Sequence, residues 1–375
     1  MSDAVKTPQP KAGILEINAY KAGGGQFTGV EKLYHLASNE TPHGAPQAAK
    51  DAVANLVAMP TMSNANGGLQ DYPTPGSDGL RAAIAERHDI DASRIVCGNG
   101  SDELLNLIGN AYIGAGDEAI ITEYGFLVYK NVIQANGGNV VVAAEVNHTV
   151  NVDNIIACVT DKTKVVFVAN PGNPTGTYIS GAEISRLHNG LPADCVLVVD
   201  SAYAEFCHED DYSAGIGLVE AHENVVMTRT FSKIYGLAGL RVGWCYASVN
   251  IIDVLNRIRG PFNVNEAAQV AGSKAIAAQE FEAMSVAHND KWKAIIFQRL
   301  NGLGLKVTPS QANFMLVHFD DSGKTALEAD RYLCSEGVVL RRLEPYNLPN
   351  ALRYTIGSDE ANILVLSLFE KFMKM

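Results

Sequence analysis

From about residue 80 to residue 260 the chain repeats one pattern, a short apolar run followed by an amphipathic stretch. The runs are RIVCG (94–98), EAIITE (118–123), VVVAAE (140–145), KVVFVAN (164–170), CVLVVDSAY (195–203), ENVVMTRTF (223–231) and RVGWCYA (241–247). Between them lie helical patterns such as SDELLNLIGNAYIG and GFLVYKNVIQANGG. A run such as VVFVA is apolar without alternation, which suits a strand buried on both faces. Strands that alternate with helices predict an α/β fold with a mostly parallel sheet between helices. We therefore expect a large domain over residues 46–260. Residues 1–45 and 261–375 carry a different pattern, with a long polar helical region (264–303) followed by LKVTPSQANFMLVHF, GVVLRRL and ALRYTIG. These predict a smaller α+β domain assembled from both chain ends.

The balance of 29 Lys and Arg against 41 Asp and Glu leaves a formal charge of -12. Such a chain has no basic surface for nucleic acid or an anionic membrane, so neither is an expected partner. MSDAVKTPQP lacks the apolar core of a secretory signal, and no run approaches the length of a membrane span. Six cysteines are scattered and never form CxxC, which fits reduced thiols in a cytoplasmic protein and argues against structural zinc.

In a parallel sheet, ligands bind beyond the carboxyl ends of the strands, so the residues just after the runs carry the function. After RIVCG, Gly100, Ser101 and Asp102 open a helix; they form either an anion site or an ordinary cap with Ser101 as N-cap. After EAIITE stands Tyr124, an aromatic for core packing or for stacking on a flat ligand. After KVVFVAN comes PGNPTG, with Asn173 in a Pro/Gly turn. CVLVV leads to Asp200 and Tyr203. A carboxylate at the end of a buried strand needs a partner, either a protein group or a cationic ligand atom. Finally, TFSKIYGLAGLRVGW (230–244) places Lys233 among apolar residues, flanked by Ser232 and Arg241. An amine kept out of water near a cation stays neutral enough to attack a carbonyl, and a hydroxyl with a guanidinium suits a phosphate. A Schiff-base lysine, a carboxylate for a ring nitrogen, donors for a phenolic oxygen, a stacking aromatic and a phosphate cup together describe pyridoxal 5'-phosphate.

On these residues the sequence resembles the fold type I pyridoxal-phosphate aminotransferases, and more narrowly the histidinol-phosphate aminotransferase family. LASNETPHG (36–44), DYPTPGSDGLRAAIA (71–85), GNGSDE (98–103), NPGNPTG (170–176), VDSAYAEF (199–206), PSQANF (309–314) and LRYTIG (352–357) carry the likeness together with the lysine segment. The resemblance implies that Lys233 holds the cofactor and moves the substrate Cα proton. It implies that Asp200 pairs with the pyridinium, that Tyr203 and Asn173 bind the phenolic oxygen, and that Tyr124 stacks on the ring. Ser101, Asp102, Ser232 and Arg241 would hold the phosphate, joined by Tyr72 from a neighbouring subunit, which implies a homodimer. Tyr20, Asn173, Arg341 and Arg353 would bind the small-molecule substrates, a phosphorylated amino alcohol and a 2-oxo acid.

Two positions depart from the family's usual pattern. NENP reads NETP, with Thr41, and the usual Arg-Asp pair of the late strand reads Arg341–Arg342. The implied reaction is transamination of L-histidinol phosphate with 2-oxoglutarate, a step of histidine biosynthesis. Transamination of tyrosine or phenylalanine, and decarboxylation of a phosphorylated amino acid, use the same cofactor parts and stand as alternatives. A Rossmann dehydrogenase is disfavoured because no GxGxxG follows the first strand.

Overall fold

The structure is a computed structural model and describes residues 32–59 and 68–375, together with residues 8, 10, 11, 13–17 and 19. Strand β1 (Tyr34–His35) lies before the large sheet. Seven strands then follow: β2 (Ile95–Gly98), β3 (Glu118–Thr122), β4 (Asn139–Ala143), β5 (Thr163–Ala169), β6 (Val196–Asp200), β7 (Val225–Thr230) and β8 (Gly243–Ala247). They form one sheet in the order β2-β8-β7-β6-β5-β3-β4. All seven apolar runs of the sequence supply its strands. The pairs from β4 through β3, β5 and β6 to β7 are parallel, while β8 runs antiparallel to both β7 and β2.

Burial explains the unbroken apolar runs. Along β5, β6 and β7 the residues alternate between two apolar clusters, one on each face. Val166, Val168, Leu197, Val199, Val225 and Met227 join one cluster. Val165, Phe167, Val196, Val198 and Val226 join the other. Each such side chain contributes about 1.5–3 kcal/mol by leaving water. Helices Asp78–His88 and Ser101–Tyr112 cover opposite faces, through Leu80 and Ile84 in the first cluster and Leu104, Leu105 and Ile108 in the second.

The reversal at β8 has a local cause. A parallel return needs a crossover of a dozen or more residues, usually through a helix. Residues 231–242 hold only a single 3-10 turn, Ala238–Leu240, so the chain doubles straight back. Thr230 therefore faces Gly243, and Gly243 in turn faces Gly98. This register brings the Lys233 turn, Arg241 and the start of helix Ser101–Tyr112 to the same end of the sheet as Asp200. Gly243 is needed there, because a Cβ would collide with the backbone nitrogen of Ser101.

The second sheet contains β9 (Lys306–Thr308), β10 (Phe314–His318), β12 (Arg341–Leu343) and β13 (Leu348–Thr355), all antiparallel, while β11 (Val338–Val339) pairs in parallel with β1. Its apolar cluster includes Leu36, Met315, Val317, Leu352 and Tyr354 with Trp292, Ile296 and Leu300 of the long helix Gln279–Gly302. Helix Glu266–Ile276 buries Ala268, Ala271, Ala275 and Ile276 in the cluster of the large sheet. No helix among the described residues is long and apolar enough to cross a membrane.

Candidate active site

Lys233 sits in the turn after β7, and its backbone carbonyl accepts from Gly236 N–H at 3.1 Å. Gly236 has φ +66°, and a Cβ there would run into the carbonyl of Gly44, so only glycine lets the two loops touch. The amine donates to the Ser38 carbonyl at 3.3 Å and lies 5.8 Å from the Tyr203 ring centre. Burial lowers its pKa to about 8, with Arg353 and then Arg241 adding to the effect against Asp102 and Glu40. A substantial fraction of the amine is therefore neutral near physiological pH, as a nucleophile or base requires.

Asp200 ends β6 and is 5 % exposed. Its carboxylate accepts from Tyr129 Oη at 2.7 Å and from Thr228 Oγ1 at 3.1 Å. Burial raises its pKa to about 6 against these two hydrogen bonds. No cation of the protein is paired with it among the described residues. A buried carboxylate held by two hydroxyls and lacking a counter-charge fits a protonated ring nitrogen as partner.

Helix Ser101–Tyr112 starts with Gly100 as N-cap, and no side chain caps it. Ser101 is thus the first helical residue rather than the cap, and the N–H groups of the first turn point away from the helix unclaimed by any cap side chain. Beside them Arg241 donates to Ser232 Oγ at 3.4 Å and to Asp102 Oδ2 at 3.3 Å. Helix N–H groups, a buried hydroxyl and a guanidinium form a cradle suited to a phosphate.

Asn173 and Arg353 meet across the site. Arg353 of β13 is 5 % exposed, donates to Asn173 Oδ1 at 2.5 Å and to the Ala37 carbonyl at 2.6 Å, and lies over the Phe314 ring at 5.3 Å. Tyr203 is buried edge-on against the same ring, 5.2 Å between centres. Arg341 faces Arg353 directly in the β12–β13 ladder. Arg342, its neighbour, makes an ion pair with Glu344. Tyr124 follows β3 and packs against His148, 5.4 Å between ring centres. Tyr72 stands apart, 82 % exposed and stacked on Phe262 at 4.6 Å. Tyr20 lies outside the described residues.

One group escaped the strand-end logic. Residues 37–39 cross the site as a strap: the Ala37 carbonyl takes Arg353, the Ser38 carbonyl takes Lys233, and Asn39 Nδ2 donates to Tyr203 Oη at 2.8 Å. Its only trace in the sequence is the motif LASNETPHG. Tyr129 and Thr228, which hold Asp200, were missed as well, since a buried tyrosine in a helix and a threonine in a strand read as core.

The chain matches the model of the family "Aminotransferase class I and II" over residues 31–367. It is 49% identical over 367 residues to histidinol-phosphate aminotransferase of Maricaulis maris, covering 98% of this chain and 99% of that one. It is 48% identical to the enzyme of the same name from Nitrobacter hamburgensis, covering 98% of each. The fold is shared with the solved structure of histidinol-phosphate aminotransferase from Sinorhizobium meliloti in complex with pyridoxal-5'-phosphate, at a TM-score of 0.82 and 24% identity over 92% of both chains. Sequence and fold together place the chain in the class I and II aminotransferases, among the histidinol-phosphate aminotransferases.

Proposed function

We infer that this chain is a pyridoxal-phosphate-dependent aminotransferase that moves the amino group of L-histidinol phosphate to 2-oxoglutarate, giving imidazole-acetol phosphate and L-glutamate in histidine biosynthesis. The observation that carries the chemistry is the pairing, at one sheet end, of a lysine of lowered pKa with a buried carboxylate that lacks a protein cation. The near 50% identity to histidinol-phosphate aminotransferases over almost the whole chain supports the substrate.

In this reading Lys233 holds the cofactor covalently and Asp200 faces its ring nitrogen. Tyr203 and Asn173 bind its phenolic oxygen, and Tyr124 lies against the ring. The N–H groups of Ser101 and Asp102, with Ser232 and Arg241, hold its phosphate. Bound there, the cofactor supplies an electron sink for the pair left on the substrate Cα when its proton departs. Lys233 would take that proton from the substrate Cα and deliver it to the cofactor C4′, two atoms away across the nitrogen, a task suited to a pKa near 8. Asp200 holds the ring-nitrogen proton in place by its charge, and Tyr129 and Thr228 keep its carboxylate oriented.

Arg353 binds the anionic end of the substrates. Its planar guanidinium is already held by Asn173 and Ala37, so little rotamer entropy is lost on binding. Arg341, directly opposite, adds a second positive charge; like charges across a ladder repel, and an anion between them relieves that repulsion. Tyr20 completes the substrate site.

The exposed Tyr72–Phe262 pair supports a homodimer in which Tyr72 reaches the phosphate of the neighbouring subunit. Residues 46–260, joined by helix Glu266–Ile276, act as the cofactor part, and the remainder of 1–45 and 261–375 as the part that closes over the substrate and excludes water. The protein works in the cytoplasm.

The test is a visible spectrum of the cofactor-saturated protein, followed by addition of L-histidinol phosphate without acceptor. Rapid loss of the lysine-bound band with histidinol phosphate, and slow loss with L-phenylalanine, is the expected result. Equal rates would make the protein a dual or aromatic aminotransferase, and the absence of any band would overturn the cofactor reading.

A further inference from the structure

Asn39 is 1% exposed and sits at φ 59°, in the left-handed region that asparagine tolerates better than most residues. Every hydrogen-bonding group it carries has a partner. Its backbone N–H donates to Thr355 Oγ1 at 3.1 Å, and its backbone carbonyl accepts from Asn313 Nδ2 at 3.0 Å. Its side-chain Oδ1 accepts from Thr355 Oγ1 at 3.1 Å, and Nδ2 donates to Tyr203 Oη at 2.8 Å.

These contacts have a direction that follows from counting protons. A backbone N–H can only donate, so Thr355 Oγ1 accepts there. The one hydroxyl proton of Thr355 is then spent on Asn39 Oδ1. With the amide turned the other way, Thr355 would receive two donors, and its own proton would be left buried without an acceptor, a costly arrangement. Thr355 is 2% exposed, so water offers no escape. The amide nitrogen of Asn39 therefore faces Tyr203 and donates. Tyr203 Oη is left to direct its own proton elsewhere, and among the described residues no protein acceptor takes it.

We infer that Asn39 is a positioning residue that makes Tyr203 a hydrogen-bond donor toward the cofactor's phenolic oxygen, with Thr355 fixing the orientation of the Asn39 amide. This rests on the cofactor reading given under Proposed function. The surroundings agree: burial pushes the Tyr203 phenol up to about 12, so it keeps its proton at neutral pH. The charged groups acting on that phenol are Arg353, Asp200 and Asp102, and the Lys233 amine lies beside the ring. The strap touches Arg353 and Lys233 through its carbonyls and Tyr203 through a side chain, so one segment sets three groups of the site.

A donor on the phenolic oxygen withdraws electron density from the lysine-bound group and lowers the pH at which its visible band changes protonation. The experiment measures the pH midpoint of that band in the full-length, cofactor-loaded protein, with Tyr203→Phe, Asn39→Ala and the double variant. Tyr203→Phe is expected to raise the midpoint by about one unit, the size expected for a hydrogen bond to a charged group. Asn39→Ala is expected to raise it by roughly half a unit, and to have no further effect in the Tyr203→Phe background. An Asn39→Ala midpoint equal to native, or a shift of equal size in both backgrounds, overturns the inference, because a purely structural role would not depend on the Tyr203 hydroxyl.

Should Asn39→Ala fail to fold, Thr355→Val against Thr355→Ser carries the same test from the other side. Valine keeps the shape and frees the amide to turn, so the midpoint rises; serine keeps the hydroxyl and leaves the midpoint at the native value. Equal midpoints for the valine and serine variants would sink the inference. Failure of the cofactor reading itself looks different, since the native protein would then show no band at all.

Discussion

At the end of the large sheet, Asp200 is fixed by two hydroxyls and the Lys233 amine by a backbone carbonyl. In the ladder of the small sheet, Arg353 is equally buried and held, while Arg341 beside it is half-exposed and Arg342 is already engaged by Glu344. The first region is organised before any ligand arrives. The second holds one buried cation and one half-exposed cation facing it across the ladder. We read the contrast as fixed chemistry on the preorganised large-sheet end and exchangeable recognition on a buried and a half-exposed arginine.

The largest effect falls on Lys233. Lys233→Ala removes the covalent attachment and the base together, so the visible band disappears and turnover falls by about a thousandfold or more. Turnover within tenfold of native would show that the large-sheet end does not carry the chemistry.

Asp200→Asn separates function from stability. The folded pKa of Asp200 lies above its ordinary value of 3.8, at about 6, so the folded apoprotein retains a proton that the unfolded chain has released. The apoprotein therefore loses stability as the pH rises from about 4 to 6, and it stays penalised above that window. An amide in place of the carboxyl cannot ionise, so the substitution is expected to stabilise the apoprotein at pH 7 by on the order of 1–3 kcal/mol while abolishing most turnover. Urea melts of the two apoproteins at pH 4 and pH 7 read the difference; a gap that fails to widen at pH 7 would contradict the burial argument.

The arginines give the smaller effects. Arg353→Gln is expected to raise KM for 2-oxoglutarate by roughly 10–100-fold, the loss of a charge-assisted pair. It should also move the reactive midpoint of Lys233 above about 8, because the Arg353 cation is the strongest charge holding that pKa down. The rate at which apoprotein captures the cofactor, followed against pH, reports the midpoint. Arg341→Gln should cost roughly 3–10-fold in KM for the phosphorylated substrate, and Arg342→Gln less than about twofold, since Arg342 is already engaged by Glu344. Equal effects at Arg341 and Arg353 would erase the contrast between the buried and the half-exposed arginine.

Much of this was legible in the chain because the signals are local. Seven apolar runs announced seven strands, and the residues just after them, among them Asp200, Tyr203 and Lys233, lie at one end of the sheet because a parallel sheet gathers its carboxyl ends. Less local matters were not legible. The sequence runs alone do not say that β8 reverses; residues 231–242 form no crossover helix and the strand doubles back, which places Arg241 beside Ser232. Helix Glu266–Ile276 lies past the expected end of the large domain at residue 260, yet its alanines join the apolar cluster of the large sheet.

What the sequence by itself determined, then, is the type of each element and the chemistry at the strand ends, since periodicity and turn residues act over a few positions. Only the tertiary structure decided which distant groups complete those ends. Asn39 meets Tyr203 across 164 positions, Ser38 meets Lys233 across 195, and Ala37 meets Arg353 across 316. No periodicity spans such separations; they are set by the packing of β1 on β11 and of β13 on β10, which lays residues 37–39 over the end of the large sheet.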